Sequence, residues 1–289
     1  MEIMNGKELS SKIKDEIKDD VESCFKTPIL AVITIGYNAA SEVYIKNKKK
    51  ACEYVGMSLL HFDYADVVKE KVVINKIKEL NEDENVSGII LQLPIPEGFD
   101  SKKIINTISP LKDVDGLTET SVSKMYFDED GLIPCTPKGI LELLDYYNIS
   151  LTGKHVVVVG RSNLVGKPLM IECLKRDATV TVCHSKTKNL SHFTSQADIL
   201  IVATGQKYLI DKDMVKEGSV IVDVGISRED GKLYGDVNPN VSEKCSYLTP
   251  VPGGVGPMTV AMLVKNTLIA YKKINKIIWN EWRKNIWGW

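Results

Sequence analysis

The chain has 289 residues, 44% hydrophobic and 26% charged, with a formal net charge of -1, which fits two globular domains with real cores and gives no sign of disorder. The lysines are spread along predicted helices and balanced by acids, so there is no electrostatic footprint for nucleic acid. Six cysteines without a C-x-x-C pair indicate neither a zinc site nor a disulfide framework, and no metal is expected. Glu2, Lys7 and Glu8 stand where a secretory segment needs an apolar run, and no apolar stretch approaches membrane-spanning length. A cytoplasmic protein without a membrane role is the expectation.

Leu9, Ile13, Ile17 and Val21 recur every four residues and predict an amphipathic first helix. A strand is expected at 30–36, a helix at 41–55 stopped by Gly56, a strand at 58–64, a helix at 67–80 and an apolar strand at 86–94. This alternation predicts parallel βαβ units. A helix at 100–108 precedes the Pro110–Gly116 loop, and Pro134-Cys-Thr-Pro137 punctuates the chain before a helix at 139–147. The alternation resumes with strands at 156–159, 179–183, 199–203 and 220–224 and a helix after Gly166. Thr249–Pro257 is too rich in proline and glycine for regular structure, and a long helix follows from Met258. The expected fold class is therefore α/β in two domains, residues 1–136 and 137–257, with the helix from about 258 to 289 returning to the first.

Chemistry-bearing residues gather at a few places along this pattern. Tyr44 and Lys48 share a helical face; the basic run around them reads as solvated surface, with Lys48 as the candidate for a functional role. Gln92 is a polar residue near the end of an apolar strand, either a satisfied core amide or a group facing a ligand. Lys112-Asp113-Val114-Asp115-Gly116 offers two carboxylates in a glycine-ended loop, of which Asp113 reads as a turn former. His155-Val-Val-Val-Val-Gly160-Arg-Ser-Asn-Leu-Val-Gly166-Lys-Pro168 reads as a buried strand breaking into a turn that opens a helix, with Pro168 in its first turn. Such a helix start suits a phosphate. The next strand ends in His184-Ser185-Lys186-Thr187-Lys188, without the acid that holds a ribose 2′-hydroxyl roughly 20 residues beyond such a turn. Arg161 offers a planar fork to a 2′-phosphate instead, so NADP is favoured over NAD.

Ser41-x-x-Tyr44-x-x-x-Lys48, Gln92-Leu-Pro, Lys112-Asp-Val-Asp-Gly116, Pro134-Cys-Thr-Pro-Lys-Gly139, Gly160-Arg-Ser-x-x-Val-Gly-x-Pro168, His184-Ser-Lys-Thr187 and Pro250-Val-Pro-Gly-Gly-Val-Gly-Pro-Met-Thr259 occur here in a fixed order. In that order they resemble bifunctional methylenetetrahydrofolate dehydrogenase/methenyltetrahydrofolate cyclohydrolase, over roughly residues 1 to 273. The resemblance implies an N-terminal α/β folate-binding domain and a Rossmann-type NADP-binding domain separated by a cleft, a homodimer, and a place in one-carbon metabolism and purine biosynthesis. It implies that 5,10-methylenetetrahydrofolate loses a hydride to NADP and that the 5,10-methenyl product is hydrolysed to 10-formyltetrahydrofolate. Lys48, Tyr44, Gln92 and Asp115 would be the catalytic set. Lys48 must be able to lose its proton beside a cationic intermediate, Gln92 would tune it, Asp115 would anchor the pterin and Tyr44 would stack on the aminobenzoate. Leu93, Pro252, Gly253 and Gly254 complete the substrate contacts so implied, and Gly160, Arg161, Ser162, Val165, Gly166, Ser185, Thr204, Gly205 and Ile226 the cofactor contacts.

Two segments depart from the family's usual pattern: Gly36-Tyr-Asn-Ala-Ala40 replaces an acidic pair and a proline, and Ser121 and Ser123 replace Asn-x-Gly. The competing expectations are a dehydrogenase without hydrolysis, a binding module without catalysis, and an NADP-dependent dehydrogenase of another small substrate. Retention of Tyr44, Lys48 and Asp115 argues against the first two. All four tryptophans (Trp279, Trp282, Trp287 and Trp289) lie in a tail beyond the resemblance, where Trp279, Trp282 and Ile286 are expected to share a helical face that packs on the protein body or across a dimer, the alternative being a membrane-interface helix.

Overall fold

The computed structural model describes the backbone of residues 1–287 and the side chains other than 39–40 and 277–289. In chain order, β1 (Glu2–Ile3) and α1 (Gly6–Glu22) lead to β2 (Ile29–Ile35), α2 (Ala39–Tyr54), β3 (Ser58–Tyr64), α3 (Glu70–Glu82), β4 (Val86–Leu91), α4 (Ser101–Ile105) and α5 (Glu119–Tyr126). Then come α6 (Cys135–Tyr146), β5 (His155–Val159), α7 (Gly166–Leu174), β6 (Thr179–Cys183), α8 (Leu190–Thr194), β7 (Ile199–Val202) and β8 (Val220–Asp223). The short pair β9 (Ser227–Glu229) and β10 (Lys232–Tyr234), β11 (Tyr247–Leu248) and α9 (Val255–Trp287) follow. The chain divides into two compact units, Met1–Ser11 with Pro134–Thr259, and Lys12–Ile133 with Val260–Trp289.

The second of these units carries a three-stranded parallel sheet in the order β3-β2-β4. β4 is buried along its whole length and β2 beyond its first residue, as expected of parallel strands covered on both faces, whereas the edge strand β3 is only partly buried. Ala31, Ile33, Ile89 and Leu91 from the sheet meet Val73, Ile77 and Leu80, the buried stripe of α3, together with Ile104 and Ile105 of α4. Gly88 on β4 has a packing reason, since a Cβ there would lie 2.6 Å from Val114 Cγ1. This seats the 112–116 loop directly against the strand.

The other unit carries a six-stranded parallel sheet in the order β1-β11-β8-β7-β5-β6. Its core joins Val157 and Val159 of β5, Leu200 and Val202 of β7 and Ile221 of β8 to Val237, Val241 and Cys245. Sequence order runs outward from β5 in both directions, to β6 on one side and to β7 and β8 on the other, and such a reversal opens a crevice at the carboxyl ends of the strands.

Several expectations are corrected here. Residues 1–11 group with the six-stranded unit rather than with 12–133, because Glu2–Ile3 pairs with Tyr247–Leu248 and adds the sixth strand. α6 begins at Cys135 rather than Gly139, since Pro137 falls in its first turn, where a missing N–H costs nothing. α3 begins at Glu70 rather than Val67, which is 85% exposed. The tryptophan face at 279–286 lies outside the described side chains.

Gly88→Ala is expected to destabilise the protein by about 1–3 kcal/mol through overpacking against Val114. If that contact is the cause, Gly88→Ala combined with Val114→Ala costs less than the sum of the two single variants in denaturant titrations.

Candidate functional site

α2 starts where Asn38 accepts the backbone N–H of Ser41 at 3.0 Å, the geometry of an N-cap. One turn further on is Tyr44, 45% exposed, and one turn beyond that the half-buried Lys48. Lys48 Nζ donates to Gln92 Oε1 at 2.8 Å. Gln92 is itself fixed, its backbone N–H donating to Ile33 O at 2.8 Å and its Nε2 to Leu93 O at 2.7 Å. Two residues singled out separately in the sequence are therefore in contact, and Gln92 faces a partner side chain rather than a closed core. Cys52, one turn beyond Lys48, is a packing thiol, because burial pushes it up to about 12.

Beside β4, the loop from Lys112 to Gly116 is held by buried polar contacts. Lys112 Nζ donates to Leu80 O at 2.9 Å and Asp83 O at 2.7 Å, closing the end of α3, and burial lowers the pKa of this ammonium. Its own carbonyl accepts from Ile89 N at 2.8 Å. Asp113 accepts from Leu117 N at 3.2 Å and Thr118 N at 2.8 Å, the turn-forming role expected of it. Asn266 of α9, fully buried, donates from Nδ2 to Val114 O at 2.9 Å and Ile133 O at 3.0 Å. Asp115 follows at once, half-exposed. Ser121 is buried in the first turn of α5, where Thr118 caps its N–H at 3.1 Å, and Ser123 is exposed on the same helix.

In the six-stranded unit, Gly160 has φ +127°, and a Cβ there would meet Ala203 O at 2.4 Å. A Cβ on Gly166 would meet Gly160 O at 2.1 Å. Gly160 is thus demanded by its positive φ and by the chain just after β7, and Gly166 by the turn folding back onto Gly160. Ser162 Oγ accepts from Val165 N at 3.2 Å, and α7 opens at Gly166 with Pro168 in its first turn. Arg161 and Ser162 are exposed at this turn, and Ser185 is exposed beyond β6, where His184 N donates to Thr187 Oγ1 at 2.8 Å.

Two buried carboxylates beyond β7 and β8 escaped the sequence reading. Asp236 Oδ2 accepts from Thr204 N at 2.6 Å, Thr204 Oγ1 at 2.9 Å and Gly205 N at 3.1 Å. Asp223 accepts from Asp236 N at 2.9 Å and Val237 N at 3.1 Å, and burial raises its pKa to about 7 despite those bonds. An acid closing an apolar strand (Val220-Ile-Val-Asp223) is a readable signal that a buried partner must exist. Ile226 is 41% exposed just past this strand.

Pro252, Gly253 and Gly254 belong to the six-stranded unit. Gly253 has φ +109°, and its carbonyl accepts from Lys7 N at 2.8 Å. Gly254 is buried, with room for a Cβ denied by Pro250 O at 2.6 Å, so packing alone already requires a glycine there. Among the described residues no group of three or more His, Cys, Asp or Glu side chains is arranged to hold a metal, and no helix is long and apolar enough to cross a membrane.

Asn266→Ala strands two backbone carbonyls in a water-poor site, at about 1–3 kcal/mol each. Thermal and denaturant unfolding are expected to show a loss of at least about 2 kcal/mol, and faster amide exchange over 112–118.

Two family profiles match the chain: the catalytic domain of tetrahydrofolate dehydrogenase/cyclohydrolase over residues 4–115 and its NAD(P)-binding domain over 134–275. The bifunctional protein FolD of Aquifex aeolicus is 51% identical over 277 residues, 94% of this chain and 95% of that one. Among solved structures, the bifunctional FolD methylenetetrahydrofolate dehydrogenase/cyclohydrolase of Campylobacter jejuni superimposes with a TM-score of 0.93 at 46% identity, covering 94% of this chain and 99% of that one. The Trypanosoma brucei enzyme, solved with NADP and an inhibitor, gives a TM-score of 0.90 at 32% identity over 94% and 97% of the two chains.

Proposed function

Because the chain belongs to the tetrahydrofolate dehydrogenase/cyclohydrolase family, we infer that it oxidises 5,10-methylenetetrahydrofolate to the 5,10-methenyl compound with NADP and hydrolyses that product to 10-formyltetrahydrofolate. The observation that carries the reading is the 2.8 Å bond from Lys48 Nζ to Gln92 Oε1, which joins two of the family's motifs across 44 residues.

The six-stranded unit fits NADP on two counts. Its glycine turn has no space for side chains and leads into the N-terminus of α7, and the end of β6 carries Ser185 with flanking lysines in place of an acid. When bound, NADP supplies the hydride acceptor. Gly160, Ser162, Val165 and Gly166 form the pyrophosphate turn, Arg161 and Ser185 receive the 2′-phosphate, and Thr204, Gly205 and Ile226 line the remainder.

On the folate side, Asp115 accepts N–H bonds from the amino-pyrimidinone edge of the pterin, and Tyr44 stacks on the aminobenzoate. Loss of hydride leaves a methenyl cation, beside which a neutral Lys48 is favoured over a charged one. Held by Gln92, Lys48 takes a proton from the water that adds to the methenyl carbon. A proton then reaches N5 as its bond to that carbon breaks, and the formyl group stays on N10. A homodimer in the cytoplasm, supplying formyl units for purine biosynthesis, completes the proposal; sedimentation at micromolar concentration decides the assembly. We assign the folate function to the unit of residues 12–133 with the helix from 260, and the cofactor function to the unit of residues 1–11 with 134–259.

A spectrophotometric assay with methylenetetrahydrofolate and NADP, following NADPH and the methenyl chromophore together, tests both activities. Lys48→Met is expected to lower hydrolysis by at least about 10²-fold, the lower bound for general acid–base assistance, while part of the dehydrogenase activity survives. Asp115→Ala, which frees the pterin, is expected to depress both steps together. Hydrolysis at the parent rate in Lys48→Met would remove Lys48 from the mechanism.

Arg161→Ala is expected to weaken NADP by on the order of ten- to a hundredfold, the worth of lost charge-assisted bonds to a phosphate, and to leave NAD nearly unaffected. Equal losses in calorimetric titrations of the two cofactors would relocate the 2′-phosphate site.

A further inference from the structure

The order of the six-stranded sheet constrains how a dinucleotide lies on it. With the 2′-phosphate at the end of β6 and the pyrophosphate at the turn after β5, the other half of the molecule must extend over the ends of β7 and β8, which lie on the opposite side of β5. Thr204 and Gly205 follow β7, and Gly225 and Ile226 follow β8. Between these two segments lies one side chain that takes no part in the mechanism above.

That side chain is Asp236, fully buried. Its Oδ2 gathers three donors from Thr204 and Gly205, at 2.6, 2.9 and 3.1 Å. Its carboxyl group also occupies the space a side chain at 225 would need: a Cβ on Gly225 would lie 2.0 Å from Oδ1 and 2.1 Å from Oδ2. Asp236 therefore touches both strand-end segments at once. It is in turn fixed by Asp223, which accepts the N–H of Asp236 and of Val237, and Asp223 is tied to Thr249 through a 2.7 Å bond from its own N–H. Three donors converge on Oδ2, whereas Oδ1 is buried beside Gly225 without a hydrogen-bond partner, so the carboxylate is fixed through one oxygen onto the Thr204–Gly205 segment.

We propose that Asp236 is a positioning residue for the nicotinamide half of NADP, setting the Thr204–Gly205 and Gly225–Ile226 backbones against which that half rests; the proposal builds on the cofactor reading above. The adenosine half, held at Arg161 and Ser185, does not depend on it.

Asp236→Ala, which removes the acceptor shared by Thr204 N, Thr204 Oγ1 and Gly205 N, separates the two halves. Calorimetric titration of the full chain with NADP is expected to show affinity lowered at least tenfold, while adenosine 2′,5′-bisphosphate, which lacks the nicotinamide half, binds within twofold of the parent. KM for NADP rises with KM for methylenetetrahydrofolate unchanged. Thr204→Val removes one of the three donors without disturbing the backbone, and gives the same pattern at smaller amplitude; it carries the test if Asp236→Ala does not fold. Equal losses for NADP and the bisphosphate would mean general damage to the sheet and overturn the proposal, as would unchanged NADP affinity in both variants. A parent chain that binds neither compound overturns the cofactor reading and this role with it.

Discussion

Where β4, β5, β7 and β8 end, backbone amides and carbonyls leave the parallel ladder and must find other partners at positions from which water is largely excluded. The structure answers with buried polar side chains supplied from elsewhere in the same unit. In one unit Lys112 and Asn266 take up carbonyls around the loop beside β4, and Asp113 takes up amides of the same loop. In the other, Asp236 takes the amides of Thr204 and Gly205 after β7, and Asp223 closes β8 onto residues 236 and 237, while after β5 the exposed Ser162 takes the Val165 amide from within its own turn. Lys112 closes the end of α3, Asn266 and Asp113 fix the loop beside β4, and Asp236 and Asp223 fix the loops after β7 and β8; in a parallel sheet the strand ends are where ligands bind. Satisfying the backbone and placing the ligand-facing groups are one problem with one solution.

The same requirement separates the two lysines of the folate-side unit. Lys112 is buried with its ammonium on two carbonyls at the end of α3, so its charge is spent on closing a helix, and its replacement would leave both carbonyls stranded. Lys48 is only half-buried and reaches an amide oxygen whose own orientation is set by two further bonds. The one lysine is aimed by a fixed side chain and stays half-exposed, as the proposed proton-handling role requires; the other is sunk into a helix terminus.

Much of this was legible from the residues, for reasons that also explain the gaps. The β-branched run at 156–159 and the glycines at 160 and 166 report burial on both faces and a turn that needs glycine at two positions, so the strand, turn and helix can be read in order. Tyr44, Lys48 and Gln92 stood out by type and position, but only the fold could bring Lys48 and Gln92 together. β1 and β11, two residues each, have no periodicity to read, and they exist because each completes the other's sheet edge. α5, at eight residues, carries too little pattern to be read, and the start of α6 is hidden because Pro134–Pro137 resembles punctuation although the second proline suits a first turn. Asp236 and Asn266 were missed because their partners lie up to 32 and 152 residues away.

The departures at Ser121 and Ser123 show how far such local fixing isolates a site from change nearby. Both residues sit in α5, after the loop that presents Asp115 has already been closed. The path of that loop is set from within by Asp113 on the amides of Leu117 and Thr118, from below by Val114 against Gly88, and from the side by Asn266 on the Val114 carbonyl. None of these contacts involves residue 121 or 123. Ser121 is satisfied within its own helical turn by Thr118, whose side chain caps α5 and whose backbone N–H already belongs to Asp113. A substitution at 121 therefore acts on the cap of α5, one contact removed from Asp113 and two from Asp115, and Asp115 keeps its backbone geometry while the first turn of the helix adapts.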